Sequence, residues 1–224
     1  MDVKIVGVLS YFPLESAYIR GAKNYNDIIE VRVDLIGEKY EEALAKFSKI
    51  KPVLLTVRSE KEGGIYVPSR KEIYIENLDK ADYIDVELSS VSDMEHVIYQ
   101  AKAKKKKVML SFHSFDRVPS ERELDMLLRN AEISGADIFK VAVFSLSYKI
   151  ITDLSLWIKK TIFKKTIDLA VMCMGNPKVS LISRIVFPVF GSKFVYGKLG
   201  KSSAAPGQPD SFLLYKILKE EKYS

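Results

Sequence analysis

Two runs, Val108-Met109-Leu110-Ser111-Phe112-His113 and Asp137-Ile138-Phe139-Lys140-Val141-Ala142-Val143, decide how this chain folds. The first is apolar and ends in a histidine; the second is apolar and β-branched, with one lysine inside it. Between them Ser120 and Glu123 have capping-box spacing, Leu124, Leu127, Leu128 and Ala131 follow at helical spacing, and Gly135 is placed to end the helix. Strand, helix and strand in this order predict two neighbouring parallel strands. They also predict chemistry. A lysine inside a buried strand is costly unless it has a partner or a task. A desolvated amine favours its neutral form and becomes a nucleophile toward carbonyls. A histidine where the adjacent strand ends would open on the same pocket, able to accept a proton and return it. Lys140 and His113 together point to Schiff-base catalysis with a histidine acid/base.

The same alternation runs outward in both directions. Val3–Leu9, Ile28–Leu35, Pro52–Val57, Tyr83–Leu88, Val108–Phe112, Asp137–Phe144, Thr166–Cys173 and Lys193–Tyr196 read as strands. A helix candidate follows each: Glu15–Tyr25, Glu38–Ile50, Lys71–Lys80, one opening at a Ser92/Glu95 capping box, the one after Ser120, Ser147–Phe163, Val179–Val186 after Pro177, and Asp210–Glu221. Eight such units with no linker between them predict one (β/α)8 TIM barrel, an α/β fold, occupying residues 1–224 as a single catalytic domain. The runner-up, an open doubly wound sheet, would carry a glycine-rich fingerprint after its first strand, where this chain has Gly7-Val8-Leu9-Ser10-Tyr11.

Composition narrows the function classes. A chain that is 47% hydrophobic and 29% charged reads as an ordinary soluble globular protein. The net charge of +6 suits an anionic small molecule or nucleic acid. The basic run Lys102-Ala103-Lys104-Lys105-Lys106-Lys107 lacks interleaved aromatics, so it reads as a solvated helix end, and no nucleic-acid partner is expected. The single cysteine, Cys173, rules out an intrachain disulfide and reads as a small buried hydrophobe. Two histidines and one cysteine argue against a His/Cys zinc site, and His96 reads as a surface residue. No apolar run reaches membrane-spanning length, and Met1–Val8 enters a strand pattern rather than a signal peptide, so no membrane partner and a cytoplasmic location are expected.

On a barrel the C-terminal ends of the strands form the active face. The polar residues that collect there are Glu30 and Arg32 from strand two, Arg58 and Glu62 after strand three, His113, Lys140, Arg184 after strand seven, and Gln208 after strand eight. Strand alternation puts Glu30, Arg32 and Asp34 on one face; Glu30 and Arg32 either pair with each other or face a ligand. The guanidinium forks suit a carboxylate or phosphate. Glu62 is placed to orient His113, and Gly63-Gly64 after it reads as a flexible pair.

These residues resemble the type I 3-dehydroquinate dehydratase family. The matching pieces, in family order, are Glu30-Val31-Arg32-Val33-Asp34, Thr56-Val57-Arg58 with Glu62-Gly63-Gly64, Ser111-Phe112-His113, Gly135-Ala136-Asp137-Ile138-Phe139-Lys140, Ser183-Arg184 and Ala205-Pro206-Gly207-Gln208. The resemblance implies dehydration of 3-dehydroquinate to 3-dehydroshikimate in the shikimate pathway, by a homodimer that uses no metal or organic cofactor. It implies Lys140 as the Schiff-base lysine, His113 as the acid/base and Glu62 as its partner. Glu30, Arg32 and Arg58 would line the site, Arg184 would bind the substrate carboxylate, and Gln208 would contact substrate from a loop that orders over it. Met172 and Tyr196 fall on the family's apolar wall. Three departures are visible: Ala204 stands where the family often has serine, with Ser203 beside it; the segment Met174-Gly175-Asn176-Pro177-Lys178 before Ser183-Arg184 is slightly longer than in many relatives; and the N-terminal hairpin that closes the barrel bottom in some members is absent. The alternative is another lysine Schiff-base barrel of the class I aldolase kind, which would carry a phosphate-binding loop where this chain has Ala204–Gln208.

Overall fold

The computed structural model describes residues 2–164 and 167–220. Eight parallel strands are present: β1 Lys4–Leu9, β2 Ile28–Arg32, β3 Val53–Thr56, β4 Tyr83–Glu87, β5 Lys107–Ser114, β6 Ile138–Ser145, β7 Asp168–Gly175 and β8 Phe194–Lys198. Helices return the chain between them: α1 Ser16–Tyr25, the single turn α2 Val33–Ile36 with α3 Tyr40–Phe47, α4 Arg70–Asn77, α5 Val91–Ala103, α6 Glu121–Ile133, α7 Lys149–Ile162, α8 Pro177–Phe190 and, after β8, α9 Ser211–Leu218. The strands pair in the order β7-β6-β5-β4-β3-β2-β1-β8. Lys193 N–H donates to Leu169 O across the remaining seam at 2.8 Å, so the sheet comes close to closing on itself as a (β/α)8 barrel.

Strand periodicity then sorts the side chains into two cores. Outward residues such as Val31, Leu55, Val86, Leu110, Phe139 and Val171 pack under the helices with Phe47, Trp157 and Phe187. Inward residues fill the barrel. Val6, Ile28, Leu54, Met109, Ile138 and Phe194 make its lower part, and each full burial of a side chain of this size contributes about 1.5–3 kcal/mol. At the bottom Tyr83 and Phe194 meet edge to face with centroids 6.5 Å apart, and Lys4 Nζ lies 5.9 and 5.8 Å from the two ring centroids. Continuing upward, the same inward positions turn polar: Glu30, Arg32, Thr56, Asp85, Glu87, Ser111 and Lys140 are all buried. Charge is thus concentrated at the C-terminal mouth over an apolar floor.

The Ser120 capping box and the helix it opens form as read. Ser120 Oγ accepts from Glu123 N–H, the Glu123 carboxylate accepts from Ser120 N–H, and Gly135 follows the helix with φ +82°. Other readings are corrected. Strand two stops at Arg32, and Val33–Ile36 is helical, so Asp34 does not continue the inward face; it folds back beneath Arg32. Ser92 is not an N-cap, because a 3-10 turn over Leu88–Ser90 runs straight into α5 and Ser92 already lies in its first turn. The helix after strand seven is longer than the expected Val179–Val186, since Asn176 Oδ1 caps it and Pro177 takes its first position. Gly63-Gly64 serves backbone conformation rather than flexibility: Gly63 has φ +81°, and a Cβ at Gly64 would collide with the Arg58 carbonyl. Thr166 and Glu221, expected at the start of a strand and the end of a helix, lie outside the described residues. The basic run is largely compensated, with Lys102 and Lys107 on Asp137 and Lys104 on Asp79. Among the described residues no helix is long and apolar enough to cross a membrane.

Candidate active site

Lys140 rises from β6 into the barrel and is 4% exposed. Its Nζ donates to Asp85 Oδ2 at 2.8 Å, lies 3.8 Å from Glu30 Oε1, and sits 4.3 Å from the centroid of the Tyr196 ring. Asp85, from β4, also accepts from Arg58 Nη2 at 2.7 Å and from Ser111 Oγ at 2.6 Å. Burial works against its charge, but Arg58 and Lys140 outweigh that and hold the carboxyl well below the usual carboxylate range. Arg58 in turn reaches Glu87 Oε1 at 3.2 Å, and Arg70 from α4 binds Glu87 Oε2 at 2.6 Å. The Lys140 amine therefore stands in a wall of paired charges.

His113 is held from its other side. Its Nδ1 lies 2.8 Å from Glu62 Oε2, its backbone N–H donates to the same oxygen at 3.1 Å, and Ser89 Oγ donates to Glu62 Oε1 at 2.6 Å. Burial, with Arg58 and Lys140 adding repulsion, holds the imidazole pKa well below its ordinary value. The ring is neutral, so the Glu62 contact is an Nδ1–H···carboxylate hydrogen bond, the tautomer following from this network. Nε2 then carries the lone pair. Burial also pushes the Glu62 carboxyl up, while Ser89 and Arg58 favour its ionised form.

The remaining expected residues line the same cavity: Glu30, Arg32, Arg58, Glu62, His113, Lys140, Arg184 and Gln208 all border it, with Met172, Met174, Phe115, Tyr196 and Ala204 as its less polar parts. Glu30 and Arg32 do not pair with each other. Glu30 accepts from Thr56 Oγ1 at 2.9 Å, and Arg32 makes two bonds to Asp34, at 2.9 and 2.7 Å. Arg184, on α8, is 1% exposed and among the described residues meets no carboxylate: Nε donates to Tyr196 O, and Nη1 to Cys173 O and to Ser180. Burial without an anion pushes its pKa down to about 10. A buried guanidinium in this state is primed for an anionic ligand.

The loop after β8 folds over the cavity. Gln208 Oε1 accepts from Ala204 N–H at 3.1 Å, and the loop is tied to the β1–α1 segment by Ser10 Oγ to Ser202 O and by Lys201 to Glu15. Ser203, beside Ala204, lies outside the cavity lining; its Oγ donates to Ala205 O at 2.7 Å and lies 3.4 Å from Gln208 Oε1. A second cleft, between α6 and α7, is lined by Trp157, Asp125, Glu121 and Lys160. There Lys160 pairs with Glu121 and Trp157 donates to Asp125, and the solvent-facing ion pair offers no desolvated nucleophile.

Asp85, Glu87 and Ser111 were not singled out from the sequence. The signal was available for the first two: Asp85 and Glu87 alternate in strand four as Glu30 and Arg32 do in strand two.

The model of the type I 3-dehydroquinase family matches residues 15–223. The chain belongs to that family. A 3-dehydroquinate dehydratase from Methanosarcina acetivorans is 35% identical over 218 residues, covering 91% of this chain and 88% of the relative. The 3-dehydroquinate dehydratase of Aquifex aeolicus superposes with a TM-score of 0.83 at 29% identity, covering 98% of this chain and 100% of the other. The type I 3-dehydroquinate dehydratase of Clostridium difficile, solved with covalent modified comenic acid, gives 0.80 at 28% identity, covering 97% and 91%.

Proposed function

We propose that the protein is a 3-dehydroquinate dehydratase, a hydro-lyase of the shikimate pathway that works through a Schiff base on Lys140. The observation that carries this is the meeting, in one cavity of a type I 3-dehydroquinase chain, of a buried lysine amine and a neutral histidine base. Lys140 attacks the ketone carbon; water leaves and a protonated imine forms. His113 Nε2 removes the adjacent C–H proton, and the electrons move into the iminium to give an enamine. The enamine expels the β-hydroxyl, to which His113 returns its proton, and hydrolysis frees 3-dehydroshikimate and the lysine. These steps need side chains alone.

Asp85 accepts a hydrogen bond from Nζ and fixes the position of the amine. Arg58 and Ser111 keep Asp85 in place, and Glu62 orients His113. Glu30 and Arg32 border the cavity where substrate hydroxyls would lie, and Gln208 closes it from the loop. A homodimeric, cytoplasmic enzyme is part of the same reading; sedimentation of the purified protein tests the first half of it. The activity itself is tested by following enone absorbance after addition of 3-dehydroquinate. A steady rise is expected, and no rise at high enzyme concentration would overturn the assignment.

Arg184→Ala should raise KM for 3-dehydroquinate, because Arg184 is the buried cation in the lining without a carboxylate of its own. Losing a buried charge-assisted pair costs about 2–5 kcal/mol. Steady-state kinetics of a variant whose circular dichroism matches the parent check this, and unchanged KM and kcat would remove Arg184 from the carboxylate site.

The pH profile follows from the direction of the His113 shift. Its pKa is lowered, so the neutral, basic form persists as pH falls through the ordinary imidazole value of 6.5. In kcat, where the lysine nitrogen is already engaged in the imine, the acid limb should therefore lie below 6.5, and a limb at or above that value would argue for another base.

A further inference from the structure

Tyr196 stands on the inner face of β8 and is 3% exposed. Its ring presents a face to Lys140 Nζ, 4.3 Å from the centroid, while its hydroxyl lies 2.9 Å from the Met109 sulfur on β5. An aromatic face attracts a cation through its quadrupole, more strongly where water is excluded. The other titratable or charged groups around the amine are Asp85 on β4, Glu30 on β2, Arg58 after β3 and His113 on β5.

The two contacts on Nζ differ in one respect that matters during a Schiff-base cycle. The bond to Asp85 requires an N–H. An ammonium has three, but a protonated imine keeps one, and its direction is fixed by the C=N plane. The attraction to the ring needs no N–H and acts on any positive nitrogen over the face. We propose that Tyr196 is a positioning residue for the reactive amine, its ring face holding the Lys140 nitrogen through both cationic states, ammonium and iminium, and its hydroxyl pinning the ring against Met109. Burial keeps that hydroxyl protonated, so no phenolate competes with Asp85 for the amine. The inference rests on the Schiff-base role of Lys140 and deepens it.

The test uses the full-length protein with phenylalanine, then mono-, di- and trifluorinated phenylalanines, incorporated at position 196. Fluorination drains the ring face while nearly preserving its shape, so a purely structural role for the ring predicts no trend. Borohydride trapping with 3-dehydroshikimate is carried out at one fixed pH, and the adduct is located by mass spectrometry. The trapped fraction at fixed ligand should fall stepwise across the series, about tenfold or more in all. A flat trapped fraction across the series overturns the proposal. Absence of an adduct at Lys140 in the parent protein is a different failure: it removes the Schiff-base reading and this inference with it.

Discussion

Lys140→Ala loses the covalent adduct and the fast reaction together. The imine needs this amine, and removing a covalent nucleophile costs several orders of magnitude in kcat. Borohydride added to the parent with substrate or product should fix the ligand at Lys140, since reduction turns a reversible imine into a stable amine. The variant should still fold. Asp85 keeps its bonds to Arg58 at 2.7 Å and to Ser111 at 2.6 Å, so the carboxylate left behind is not orphaned. Peptide mapping of the reduced parent decides the matter: an adduct on another lysine, or turnover without any adduct, means the mechanism is wrong.

His113→Ala fails in another way. It deletes the proton acceptor but leaves the amine, so the variant should form trapped adduct while its turnover falls about 10²–10⁴-fold, with more plausible where one residue serves several steps. Here too the surroundings survive. Glu62 keeps the backbone N–H of residue 113 and the Ser89 hydroxyl as donors, so its carboxylate stays satisfied and in place. Measuring adduct yield and dehydration rate on one preparation separates binding from proton transfer. Near-normal turnover would mean that another group is the base, even with the family and the fold unchanged.

The sequence by itself determined the architecture and set Lys140 and His113, the two groups proposed to react, on neighbouring strands. Hydrophobic periodicity is local, and here it switches between strand and helix periods eight times without a break. A lysine in an apolar strand and a histidine on the strand before it are local signals too, and the register places Ser111 opposite Lys140 and His113 opposite Ala142. The tertiary structure alone decided how the charges are shared. Arg32 binds Asp34 rather than Glu30 because the chain turns helical at Val33, a choice strand alternation could not reveal. Asp85 meets Lys140 across 55 positions, and Glu62 meets His113 across 51. Such pairings depend on strand stagger, on how far each side chain reaches across the barrel, and on the cost of leaving any buried charge alone. Arg184 shows the same limit from the other side: its sequence says arginine, and only the fold shows a buried cation held by backbone oxygens and one serine hydroxyl, with no carboxylate against it.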